Sequence, residues 1–292
     1  MNDAAAEEAL RLCLAGRISP EVALARLVLA GLRPDAIEAR LSALPAGHAR
    51  ADALTGLHRD RRDGLDAVRA MLAEAGLDHA GADGSPEALV ARVAASYDRA
   101  VAVAPEASVA AYSLNDPAVL AAATAEIVEW LAGEGLVGPD RDVLDLGCGI
   151  GRVSAALAPR CRSVLGLDVS PSMVAEARRR HGDKPRLRFA TTPGTGLPAL
   201  GAACLDLVLV VDSFPYVVQA GAAVADRHVA DAARALRPGG ALAILNLSYR
   251  GDPGADRADA ARWAARGPWA LAVDGAAPFA LWDGTAFLLR RR

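Results

Sequence analysis

Val143-Leu144-Asp145-Leu146-Gly147-Cys148-Gly149-Ile150-Gly151 joins a buried-strand pattern directly to three spaced glycines, and Val153, Ala156 and Leu157 follow at helical spacing. Strand, glycine turn and helix therefore succeed one another without a gap. Glycines at such a turn let the backbone pass beside a ligand where a Cβ would collide, and they tolerate positive φ. The next apolar run ends in Leu165-Gly166-Leu167-Asp168, which puts a carboxylate 17 residues after Gly151. An acidic side chain at the end of a second strand can accept both hydroxyls of a ribose. Ser170-Pro171 supplies a helix start of its own, which leaves Asp168 for a ligand.

Outward from this stretch, short apolar runs at Asp142–Leu146, Ser163–Asp168, 186–191, 205–212 and 241–247 alternate with helical stretches at about 151–158, 171–181 and 222–236. The alternation predicts βα units on a parallel sheet. Arg237-Pro238-Gly239-Gly240 reads as a helix stop and turn, and 269–273 and 285–289 supply two further hairpin-linked strands. Toward the amino terminus the texture is helical, with apolar residues at three- and four-residue steps from Ala4 to about Ala95. Ser19-Pro20-Glu21 and Arg33-Pro34-Asp35 read as helix starts, Gly81-Ala82-Asp83-Gly84-Ser85-Pro86 as a turn cluster, and Arg59-Asp60-Arg61-Arg62-Asp63 as a solvated helix face. A helical module over 1–95 is thus expected before an α/β domain over 96–292, with one more helix over about 117–132.

Composition narrows the function classes. Of 292 residues 53% are hydrophobic and 4% aromatic, so the core is built from Ala, Val and Leu. A net charge of −3 lacks the basic field of a protein that grips nucleic acid, which points to a small-molecule acceptor before a protein one. All but one of the 32 basic residues are Arg, which leaves Lys184 alone for any Schiff-base or P-loop lysine chemistry and argues against both. Cys13, Cys148, Cys161 and Cys204 show no metal-ligand spacing, and no metal is expected. An acidic start, Met1-Asn2-Asp3-Ala4-Ala5-Ala6-Glu7-Glu8, and the lack of an uncharged apolar stretch of roughly 18 residues predict a cytoplasmic protein away from membranes.

Residues 143–152 with 165–173 resemble the first two motifs of class I S-adenosylmethionine-dependent methyltransferases, and 205–212 with Leu236-Arg237-Pro238-Gly239-Gly240 resembles their fourth- and fifth-strand signatures. The resemblance covers residues 141–249. It implies a Rossmann-like seven-stranded methyltransferase sheet flanked by helices, with the last strand antiparallel, and S-adenosyl-L-methionine as cofactor. Residue by residue it implies that Asp145 and the backbone of the Gly147-Cys148-Gly149 turn hold the methionine end, that Asp168 holds the ribose, and that Val169 packs on the adenine. It also places Asp212 facing the methyl group. The acidic residue that many members carry after the third strand is replaced by Thr191-Thr192-Pro193-Gly194-Thr195, so adenine recognition falls to backbone or hydroxyl groups.

Methyl transfer is an in-line displacement in which the protein mainly aligns the nucleophile and keeps water out. Asp212 and Tyr216, in Asp212-Ser213-Phe214-Pro215-Tyr216, are the candidate catalytic residues; the segment is distantly similar to the Asn/Asp-Pro-Pro-Tyr tetrad of amino-methylating enzymes, with one extra residue and one proline fewer. Tyr97 and Tyr112 lie before the first strand, in a segment that in this family often folds over the cofactor, and join Tyr216 as candidate substrate contacts. His228 reads as a solvated helical histidine rather than a base. The helical module has no nameable chemistry and is a candidate for shaping the acceptor pocket or for pairing two subunits as a homodimer. A nicotinamide-dependent oxidoreductase is the rival enzyme, but its G-x-G-x-x-G turn requires glycine where this chain has Arg152. A non-catalytic cofactor-binding adaptor is the rival from another class.

Overall fold

The computed structural model describes residues 3–76, 84–197 and 200–292. The segment Gly81-Ala82-Asp83 of the expected turn cluster lies outside the described residues. The chain folds into two compact units. One comprises residues up to Gly76, Arg99–Glu126 and Phe279–Asp283; the remaining described residues form the other. The helical unit is thus discontinuous in sequence, where the sequence reading places a single boundary at residue 95.

The helical unit is built from α1 (Asp3–Leu14), α2 (Pro20–Leu29), α3 (Pro34–Ser42), α4 (Ala49–Asp60), α5 (Arg62–Ala75), the second part of α6 (Pro86–Val103), α7 (Pro105–Val109), a 3₁₀ turn (Ala111–Ser113) and the first part of α8 (Pro117–Gly133). Ser19 caps α2 as expected, accepting a hydrogen bond from the Val22 amide at 3.1 Å ahead of Pro20. Leu24, Leu27, Ile37, Leu54, Leu65 and Met71 are fully buried and form its core. Arg61 breaks the expected continuous face between α4 and α5 and pairs with Asp116. Residues 279–283 belong here because Glu126 accepts from the amides of Ala280 and Leu281, both at 3.0 Å, and Trp282 stacks on Tyr112.

The sheet unit carries β1 (Asp142–Leu146), α9 (Arg152–Leu157), β2 (Ser163–Asp168), α10 (Pro171–His181), β3 (Leu187–Thr191), β4 (Leu205–Val211), α11 (Phe214–Gln219), α12 (Ala222–Ala235), β5 (Leu236–Leu245), α13 (Pro253–Arg266), β6 (Trp269–Ala276) and β7 (Ala286–Arg291). Its seven strands run in the order β3-β2-β1-β4-β5-β7-β6, all parallel except β7, which is antiparallel to both neighbours. This is an α/β, Rossmann-like sheet. The strand order reverses between β1 and β4, so the carboxyl ends of β1, β2 and β4 surround a topological switch point, the place where such sheets bind ligands. Arg237-Pro238-Gly239-Gly240 is not a free turn: Leu236 already pairs with Leu205, and the register shifts before Ala241 meets Leu207, so the glycines form an irregularity inside β5. At the opposite end of the sheet Arg237 bridges Asp142 and Asp206, and with Arg162 it holds those carboxylates away from the switch point.

Candidate functional site

The glycine turn is wedged between two neighbours. Gly147 has φ +76° and Gly151 φ +80°, and both lie where a side chain has no room. A Cβ on Gly147 would stand 2.2 Å from Cβ of Ser213, and one on Gly151 2.6 Å from the Phe189 ring. The amides of Gly147 and Cys148 both donate to the Leu167 carbonyl, at 2.7 and 3.0 Å, which ties the turn to the end of β2. Cys148 itself is buried, and burial pushes its thiol well above the usual range.

Asp168 ends β2 and is buried, and burial pushes its carboxyl pKa upward against the pull of backbone donors. One oxygen accepts from the Gly149 amide and the other from the Ser170 amide, each at 2.9 Å. Ser170 does cap α10, accepting from Met173 at 3.0 Å. Asp98, which the sequence reading missed, adds a second acceptor at that helix start: its Oδ1 takes the Ser170 hydroxyl at 2.5 Å and the Ser172 amide at 2.9 Å. Val169 packs against Gly194 beyond β3, whose Cβ would stand 2.6 Å from a Val169 methyl.

Asp145, in β1, is buried and takes the Ser154 hydroxyl of α9 at 2.6 Å. Burial raises its pKa to about 6, opposed by the Ser154 bond and by the charge of Arg152. A cation beside Asp145 would offset that desolvation, so binding one favours the ionised form. In the free protein the carboxyl is protonated below about pH 6 and must then release its proton on binding. Affinity for S-adenosylmethionine is therefore expected to be flat above that pH and to weaken by up to about tenfold per unit below it. Calorimetry between pH 7 and 5 checks this; affinity constant over that range would remove Asp145 from the site.

Asp212, directly after β4, has φ +55°, and Asn246, directly after β5, has φ +71°. This left-handed conformation, which Asp and Asn tolerate better than other non-glycine residues, concentrates at functional sites. Their bonds fix it: the Asp212 amide donates to Leu245 at 2.8 Å, and Asn246 Nδ2 donates to Asp212 Oδ1 at 2.7 Å. The Tyr249 hydroxyl donates to the same oxygen at 2.9 Å. Phe214, buried edge-on against Trp263, anchors α11 and so places Tyr216. The Tyr97 hydroxyl donates to that of Tyr216 at 2.8 Å, and the two rings meet edge to face with centroids 5.6 Å apart. Burial pushes the Tyr216 phenol up to about 12, so at neutral pH it remains a neutral hydrogen-bonding group.

The structure thus brings Asp145, the turn and Asp168 together at β1 and β2, and Tyr97, Asp212 and Tyr216 together beyond β4. Tyr112 lies in the helical unit, its ring stacked on Trp282 at 6.3 Å between centroids. His228 is a correction: it is 3% exposed rather than solvated, and its Nδ1 lies 2.9 Å from the Val224 carbonyl, which accounts for a buried histidine as a core group of α12.

A family model described as a methyltransferase domain matches residues 143–240, the span that holds the turn, Asp168 and Asp212. Over that span the chain is similar to methyltransferase domains. Methyltransferase GfsG of Streptomyces halstedii is 33% identical over 113 residues, covering 37% of this chain and 38% of that protein. Methyltransferase cfoB of Aspergillus candidus is 32% identical over 103 residues, covering 34% of this chain and 30% of that protein. The match thus spans 38% and 30% of these two curated relatives' length. In fold, the chain is similar to phosphoethanolamine N-methyltransferase 1 of Haemonchus contortus, with a TM-score of 0.57 at 16% identity over 71% of this chain and 50% of that one. The methyltransferase domain's matched span stops before Asn246 and Tyr249, and Asp98 precedes it. A polar Asn-Leu-Ser-Tyr run just beyond a strand of an α/β sheet was the available signal for the first two.

Proposed function

We propose that the protein is an S-adenosylmethionine-dependent methyltransferase that acts on a small-molecule acceptor. The observation that carries this reading is the pairing of a buried Asp168 carboxylate at the end of β2 with the Gly149 amide of the turn after β1. The donor set fits the cofactor. Each Asp168 oxygen takes one backbone amide and retains a lone pair for a ribose hydroxyl. Asp145 offers a desolvated carboxylate suited to the cofactor's positive charge, and Val169 offers an apolar surface to the adenine.

When bound, the cofactor supplies an activated methyl group on a sulfonium. The chain's own part is alignment: Asp145, the turn backbone and Asp168 fix the nucleoside and amino-acid ends, while Asp212 and Tyr216 orient the acceptor. Asn246 and Tyr249 hold the Asp212 carboxylate in one place. Division into a module over 1–95 and a methyltransferase domain over 96–292, pairing of two copies through the helical module, and a cytoplasmic location belong to the same proposal. No helix among the described residues is long and apolar enough to cross a membrane.

Calorimetry on the full chain tests the reading. S-adenosylhomocysteine is expected to bind with micromolar affinity or better, roughly −8 kcal/mol, and NADH not to bind. Tight NADH binding with no response to S-adenosylhomocysteine would overturn it. The same preparation is expected to sediment as a dimer, and a monomer at every concentration would remove the pairing.

A further inference from the structure

Tyr249 and Asn246 lie beyond β5 and outside the motifs that point to the nucleotide. Both bond to Oδ1 of Asp212. The segment that carries them is clamped to α13: the Ser248 hydroxyl donates to Asp256 at 2.7 Å, and Arg250 pairs with Asp256 and Asp259 at 2.6 and 2.7 Å. The Tyr249 ring is therefore held in place, edge to face with Tyr216 at 5.6 Å between centroids, while 41% of the residue stays exposed. A phenol ring held rigidly with an open surface, beside a carboxylate, is a geometry that binds something.

The chemistry of that something follows from charge. An aromatic face carries negative potential and attracts a cation. The carboxylate of Asp212 acts on all three phenols, and that of Asp168 acts on Tyr97 as well. An anion would meet this field unfavourably. We infer that Asp212, Tyr216 and Tyr249 form a binding site for an organic cation, with Asn246 positioning Asp212. The inference rests on the methyltransferase reading, within which the cation is an ammonium group on the acceptor and the cofactor's own sulfonium is the competing source.

Two matched pairs of probes separate these sources, each titrated into the wild-type full chain, Asp212→Asn and Tyr249→Leu. Asparagine is chosen because it tolerates the left-handed backbone that Asp212 adopts. The first pair is S-adenosylmethionine against the uncharged sulfur of S-adenosylhomocysteine. The second is tyramine against 4-hydroxyphenylacetate, added to protein saturated with S-adenosylhomocysteine. Wild type is expected to prefer tyramine over 4-hydroxyphenylacetate by about tenfold. Both variants are expected to shrink that preference while S-adenosylhomocysteine affinity stays within about threefold. Collapse of the first preference alone assigns Asp212 to the sulfonium and overturns the inference, and collapse of the second supports the acceptor ammonium. If Asp212→Asn fails to fold by circular dichroism, Tyr249→Leu alone decides. No preference of wild type for tyramine, or a preference unchanged in the folded variants, overturns the inference and leaves the methyltransferase reading standing. Failure of wild type to bind S-adenosylhomocysteine sinks that reading and the inference with it.

Discussion

Asp168→Ala is expected to weaken S-adenosylhomocysteine binding by about a hundredfold, roughly 3 kcal/mol, while the chain stays folded. Two contributions add. The ribose hydroxyls lose a charged acceptor, and the Gly149 and Ser170 amides lose the carboxylate that holds the turn and the start of α10 in register. Folding survives because Ser170 still caps Met173 and Asp98 still accepts from Ser172. Asp168→Asn should be nearly as damaging, since its amide group presents donors to one of two donors already there. Calorimetry on both variants checks this; full affinity in a folded Asp168→Ala would reduce Asp168 to a turn-shaping residue.

Gly147→Ala is expected to produce the largest stability loss, about 3 kcal/mol or more. The backbone at φ +76° strains any L side chain, and the new methyl would stand 2.2 Å from Ser213. Ser213 cannot swing aside freely, because its hydroxyl donates to the Leu146 carbonyl at 2.7 Å. The two positions should therefore couple. In Gly147→Ala/Ser213→Gly the overlap disappears while the φ strain remains, so the double variant should be more stable than the sum of the single losses. Denaturant unfolding of the four proteins measures this, and strict additivity would mean that the turn relaxes away from β4.

Where function was legible in the sequence, the reason is locality. The turn after β1, Asp168 at the end of β2 and the Ser170-Pro171 helix start each lie within a few residues of their structural context, and the strand order follows from alternating βα units. Asp98, Asn246 and Tyr249 escaped because their partners are distant: Asp98 meets Ser170 across 72 positions and Tyr249 meets Asp212 across 37. His228 was misread because helical spacing does not say which face of α12 is buried. The helical unit's use of residues 279–283 was equally invisible, since it depends on Glu126 reaching backbone amides more than 150 positions away. Arg237-Pro238-Gly239-Gly240 has the local chemistry of a turn, yet pairing between Leu205 and Leu236 draws it into β5.

The most direct test of the central claim, a nucleotide site at the carboxyl ends of β1 and β2 with its reactive end toward β4, is a crystal structure of the full chain with S-adenosylhomocysteine. The account expects both ribose hydroxyls within hydrogen-bond distance of the Asp168 carboxylate, adenine against Val169, and the sulfur on the side of Asp212 and Tyr216. A ligand bound elsewhere, with Asp168 still engaged only by the Gly149 and Ser170 amides, would contradict it.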